Sequence, residues 1–316
     1  MILGYAALLR LSCMTLTSDV DVQGREQSQV AAAARRALAI DPNNVAALTA
    51  LSQTGPGELS NIHALPVLDR VLALDPEFPP ALMMDAGGLF QAGFVSDSVD
   101  PAMRAARGDP TSIFKAMAAV RRLAAAGRTT EAMEKLDEVK AIWPGHPDLA
   151  EHHRRLAVES GRGDIEAVYR AASPDEQRSY EMLLLRQLID PTLDARKVDA
   201  VAEAEYARFP ASAYPFAAHY AKLGDLPRAL AWLDRAPTRA TYGQWSLLFW
   251  PSAAPIRRDP RFFAKMAQIG LVDYWRRHNR WPDFCRDPEL RYNCRTEAVR
   301  LAPAGRGVSA GSGASR

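Results

Sequence analysis

The sequence predicts an all-α protein built as an α-solenoid of antiparallel helix pairs with a helical C-terminal cap, and three observations predict it. The first is a ruler of prolines. Pro42, Pro76, Pro110 and Pro144 lie 34 residues apart, and Asp41, Asp75 and Asp109 precede the first three. An internal period of this length belongs to stacked two-helix units. The second is the texture between the prolines, where apolar residues recur at the three- and four-residue spacing of one buried helical face. The third is a change near the end: Trp245, Trp250, Trp275 and Trp281, four of six tryptophans, follow residue 240 and mark a different packing problem.

Composition bounds the function classes. The 316 residues are 48% apolar, enough for a sizeable core that grows along an array. Lysine plus arginine number 39 against 37 acids, so no net field draws the chain to nucleic acid or anionic lipid. Ile2 to Leu16 is apolar but carries Arg10 and is too short to span a bilayer, and no later stretch does better. The expectation is no membrane insertion and a cytoplasmic location, or a periplasmic one if an upstream membrane anchor is missing. Ile2 to Leu11 reads as a core-facing helix that starts at Met1 without the polar cap a solenoid end needs, so an upstream region is expected. Three cysteines exclude a small disulfide framework.

The first pair is expected at Ile2 to Met14 and Arg25 to Ile40, the second helix carrying Val30, Ala34, Ala37 and Leu38 on one face. Asp41-Pro42 ends it, because a residue before proline avoids the helical region. Leu48 and Leu51, then Leu68, Val71 and Leu72, mark the second unit. Leu82, Ala86 and Leu89, a turn at Gly93, and Ala102 and Ala105 mark the third. The fourth has Ala116, Ala119, Val120 and Leu123, a turn at Ala126-Gly127-Arg128, and Ala132, Leu136 and Val139 before Trp143-Pro144. From 147 to 209 the ruler weakens. Leu149 to Glu159 and Ile165 to Ala172 form one divergent pair. Ser173-Pro174-Asp175-Glu176 reads as a capping box that opens the next helix, with Tyr180, Leu183, Leu184 and Leu188 as its apolar face. Val198 to Phe209 is its partner, closed by Pro210.

The following unit, Ala217, Tyr220, Leu223-Gly224-Asp225, Ala229, Leu233 and Ala236-Pro237, resembles the tetratricopeptide signature: small at the Gly slot, aromatic at the Tyr slot and alanine at both small slots. Leu233 replaces the usual Phe, and the Trp slot is poorly filled throughout. The resemblance covers residues 2–237, so the expected division is a repeat array over 1–237, an aromatic cap over 238–302 and a disordered Gly/Ala/Ser tail over 303–316. Arg258 to Phe262, Gly270 to Arg276 and Trp281 to Cys285 resemble the C-terminal cap of bacterial tetratricopeptide proteins. There the repeats often follow a winged-helix or nucleotide-cyclase-like regulatory domain, so the resemblance also implies a sensory arm of a larger regulator as an alternative reading.

No spacing of residues carries catalysis. Gly161-Arg162-Gly163 lacks the rest of a dinucleotide loop, no phosphate loop of the Gly-Lys-Ser/Thr kind exists, and His152-His153 point about 100° apart on a helix and cannot share a metal. The expectation is no enzyme, no cofactor and no metal. Cys285 and Cys294, nine residues apart, could form a disulfide in an oxidising compartment, remain packed thiols in a reducing one, or join His278 on zinc. Arg276-Arg277-His278-Asn279-Arg280-Trp281 is a basic patch beside an aromatic and reads as the polar face of the cap. The tetratricopeptide resemblance implies a groove lined by the first helix of each pair that binds a peptide segment of a partner protein. Its groove positions transfer to Met83, Phe90, Gln91, Phe114, Met117, Arg121, Arg155, Glu159, Tyr214 and Lys222, a mixture of methionine, aromatic and charged contacts.

Overall fold

Pro76, Pro110, Pro144 and Pro210 each take the residue before them out of the helical region. Asp75, Asp109, Trp143 and Phe209 have φ of −140°, −140°, −122° and −141°. Each still donates its N–H to the last turn of its helix, at 2.8 to 3.2 Å, and then leaves it. A computed structural model describes residues 20–55, 59–190, 192–239 and 241–301. The expected helix Ile2 to Met14 and the tail 303–316 lie outside the described residues. Those described are all-α, with no strand, and no helix among them is long and apolar enough to cross a membrane.

The helices are α1 (Val20–Ile40), α2 (Val45–Ser52), α3 (Ser60–His63), α4 (Leu65–Leu74), α5 (Pro79–Gln91), α6 (Val99–Gly108), α7 (Ile113–Ala125) and α8 (Thr129–Ile142). They continue as α9 (Pro147–Ser160), α10 (Arg162–Ala171), α11 (Tyr180–Ile189), α12 (Ala195–Arg208), α13 (Ala213–Lys222) and α14 (Leu226–Arg235). They pack in pairs: α5 on α6, α7 on α8, α9 on α10, α11 on α12 and α13 on α14. In addition α5 touches α7 and α7 touches α9, so the first helices of these three pairs adjoin one another. Pro66 explains the split between α3 and α4. It has no N–H to give Ile62, and its ring crowds that carbonyl, so the helix restarts after Ala64.

The internal period has a bond of its own. Arg70 donates to the Pro42 carbonyl at 3.2 Å, and Arg104, 34 residues on, donates to the Pro76 carbonyl at 2.6 Å. The turn within a pair repeats too. Phe94 N–H reaches Leu89 O, Arg128 N–H reaches Leu123 O and Asp225 N–H reaches Tyr220 O, all at 2.9 Å, with Gly93, Gly127 and Gly224 in the left-handed region. This is the Schellman closure. The capping box at Ser173 forms, Glu176 accepting from Ser173 N–H at 2.8 Å, but it opens only a short 3-10 turn (Glu176–Arg178). The helix itself begins at Tyr180 under a second cap, Ser179.

The C-terminal region does more than cover the last pair. After α14 the chain runs through two 3-10 segments, Thr241–Phe249 and Pro251–Ala253, then α15 (Ala254–Arg257), α16 (Pro260–Ile269), α17 (Leu271–Arg277) and α18 (Cys294–Arg300). The 3-10 segments touch three of the first helices, α5, α9 and α13. Three carbonyls at the end of α5, which no helical N–H can serve, are taken by this returning chain. Trp245 Nε1 donates to Gln91 O at 3.0 Å, Trp275 Nε1 to Ala92 O at 2.8 Å and Asp283 N–H to Gly93 O at 3.1 Å. Packing there is close enough to require glycine: a Cβ on Gly93 would meet Pro282 at 2.8 Å, and one on Gly243 would meet the Gln91 side chain at 2.8 Å. One hydrophobic core accordingly runs from Ile62 to Ala298 and includes fully buried Trp245 and Trp275.

Candidate functional site

Between α9, α11, α13 and the returning chain lies a cleft of about 290 Å³. One face each of α9, α11 and α13 walls it, and Leu247, Trp250 and Ser252 of the returning chain close it. Helix α9 buries Leu149, His152, Leu156 and Ala157 on its other side, which leaves Glu151, Arg154, Arg155, Val158 and Glu159 towards the cleft. Helix α11 is apolar on two sides. Met182 and Leu185 are its buried residues, and Leu185 lines the cleft together with the half-buried Tyr180, Leu184 and Leu188. Of the apolar face expected for this helix, Tyr180, Leu183, Leu184 and Leu188, all four are half-buried and three line the cleft; a helix apolar almost all round does not by itself say which stripe is sealed in the core.

The polar groups of the cleft are held in place. Ser252 donates to Glu159 twice, from its N–H at 3.0 Å and its Oγ at 2.5 Å, joining residues 93 apart. Burial raises the Glu159 carboxyl above its ordinary range, opposed by those bonds and by the Lys222 and Arg257 charges. Arg257 fixes the returning chain from behind, donating to the carbonyls of Leu248 and Trp250 at 2.5 and 2.7 Å; its own burial lowers its pKa to about 10. His219 contacts Gln187 Oε1 at 2.7 Å, which makes its Nε2 the donor; burial lowers its pKa to about 4 and so keeps the ring neutral at pH 7. Burial, then the Glu181 charge, pushes the Tyr180 hydroxyl up to about 12. Arg155 pairs with Glu151 at 3.1 Å and stands 5.9 Å from the Trp250 ring.

Of the ten groove positions transferred by resemblance, the structure brings two into this cleft, Arg155 and Glu159, with Lys222 close enough to act on Glu159. The others are spread. Phe90 is buried beneath the Arg122 guanidinium, 4.0 Å from its ring centroid, and Met117 and Tyr214 are core, the Tyr214 hydroxyl donating to Pro237 O at 2.6 Å. Gln91 is half-buried, its carbonyl held by Trp245 and its side chain accepting from Asn61 at 3.3 Å. Arg121 donates to His152 Nε2 at 2.7 Å, so His152 is neutral with its proton on Nδ1, facing Asp148 O. Met83 is half-buried and Phe114 stands 63% exposed at the start of α7. The physical reason is the returning chain, which covers the end of α5. Its one advance signal is the late tryptophan cluster.

Cys285 and Cys294 are joined as a disulfide in the structure. Among the described residues no group of three or more His, Cys, Asp or Glu side chains could hold a metal. No family model matches the chain, and no curated protein matches it.

Proposed function

We propose that the chain is a non-catalytic interaction scaffold of the tetratricopeptide kind, an α-solenoid that holds a peptide segment of a partner protein between α9, α11 and α13. The observation that carries this reading is the second apolar stripe of α11. Tyr180, Leu184 and Leu188 are half-buried, packed on the core at one edge and open to the cleft at the other, across from Val158 and Leu247. A space of about 290 Å³ suits one or two large apolar side chains. Arg154 and Arg155 on one side and Glu181 on another give its rim both signs of charge. The segment that fits is an apolar anchor flanked by charged residues of either sign. Because the returning chain covers α5, binding is confined to the C-terminal half of the array.

A displayed peptide library selected on the protein, with Leu188→Glu as counter-selection, tests this. The expected outcome is a consensus with one bulky apolar anchor beside charged residues. Affinity for it should fall at least about tenfold in Leu188→Glu, since a carboxylate would be forced against the anchor. A selection without such a consensus, or equal binding by a Leu188→Glu protein of unchanged helicity, would refute the proposal.

A further inference from the structure

A second cleft, independent of the peptide cleft, lies where the disulfide closes the C-terminal region. It encloses about 400 Å³ and is walled by Arg280, Arg286 and Arg295. Arg286 and Arg295 each follow one of the two bridged cysteines, so the Cys285–Cys294 bond is what brings these guanidinium groups to one place. Neither makes an ion pair with a carboxylate among the described residues, whereas Arg258, Arg276 and Arg300 nearby all do. Arg280 reaches the cleft because α17 ends in a Schellman closure, with Asn279 at φ 46° and Arg280 N–H on Trp275 O at 3.1 Å. It then lies over the Phe94 ring, 4.0 Å from its centroid, and binds Asp97 at 2.7 Å.

The two acids in the wall are already engaged. Asp97 answers Arg280, and Asp283 accepts from Ser96 N–H at 2.7 Å. Donors remain unmet. The Trp281 indole N–H is buried with no hydrogen-bond partner, and the Arg295 guanidinium sits 5.9 Å from the same ring. Guanidinium forks match phosphate oxygens in pairs, and a cleft of this size with this many donors exceeds what one carboxylate can satisfy. We infer that this cleft is a binding site for the diphosphate group of a small molecule, assembled by the Cys285–Cys294 disulfide, with Arg286 and Arg295 as its principal ligands.

Calorimetric titration of the whole protein with inorganic pyrophosphate, at fixed ionic strength, tests the assignment. Saturable binding at one site is expected, weakened about tenfold in Arg286→Gln and again in Arg295→Gln, the loss of one charge-assisted contact each. Arg291→Gln, outside the cleft, should bind as the wild type does. Dithiothreitol should weaken binding at least as much as either cleft substitution, in the wild type but not in a Cys285→Ser/Cys294→Ser protein that already binds weakly. The inference is overturned by absent binding, by acetate binding as tightly, by Arg291→Gln weakening binding equally, or by full affinity after reduction. Circular dichroism confirms that the exposed arginine substitutions leave the helices intact.

Discussion

The contact between Ser252 and Glu159 fastens the returning chain to α9, and its energy can be worked out beforehand. Ser252→Ala removes the Oγ donor at 2.5 Å and leaves the backbone N–H at 3.0 Å. Glu159→Gln keeps an oxygen acceptor and removes the charge. A bond to a charged acceptor is worth about twice one to a neutral acceptor, so the two substitutions should couple by about 1 kcal/mol. Neither alone measures this, because burial is the main force on the Glu159 carboxyl and Glu159→Gln also relieves the cost of burying a charge. Urea titrations of the four proteins at pH 7.5 give the coupling directly. A coupling inside the scatter of independent sites, about 0.5 kcal/mol, would refute the fastening. The pH dependence supplies a sign. A carboxyl whose folded pKa is raised has its favourable contribution below the unfolded pKa and loses it as pH rises through the folded one. Lowering the pH towards 4.5 should therefore recover stability at Glu159, and Glu159→Gln should lack that gain.

Three further outcomes follow from the same structure. Trp275→Phe should cost about 2–4 kcal/mol by urea titration, from an orphaned Ala92 carbonyl and a cavity beneath a fully buried ring; an unchanged midpoint would contradict the docking on α5. Reducing the Cys285–Cys294 bond, which closes a nine-residue separation, should lower stability by about 2.5 kcal/mol in the wild type and by nothing in Cys285→Ser/Cys294→Ser. His219, with a folded pKa of about 4 against 6.5, must be neutral to fold. Its contribution is present above pH 6.5 and is lost as pH falls towards 4, by about 3 kcal/mol, a loss that His219→Gln should abolish in the difference between the two pH profiles. Asp85, raised to about 6 chiefly by burial, acts in the opposite sense in both proteins and cancels from that difference.

The helix pairs are legible in the sequence because the contacts that define them are local. Proline stops, left-handed glycines and apolar spacing each act within one unit, and even the Arg70 and Arg104 bonds span only 28 residues. The site is far less legible. The bonds that lay the C-terminal region over α5 join residues 154 and 183 apart, and a tryptophan cluster announces a packing surface without naming its partner. Phe90, Met117 and Tyr214 have the composition of a binding groove and are core, since a large apolar side chain looks the same in either role. The apolar face expected for α11 is legible, but that Tyr180, Leu184 and Leu188 on it stay half-open to a cleft while Met182 and Leu185 are buried is not, because it depends on which distant helices pack alongside.

The most direct test of the peptide reading is a photocrosslink. A peptide from the selection, with a benzophenone in place of its apolar anchor, is irradiated on the wild-type protein and the site is read by mass spectrometry. The account predicts attachment at Leu184, Leu188, Leu247 or Trp250, the residues that surround the anchor space. Attachment at Phe114 or Met83, or none above that of a scrambled peptide, would contradict it.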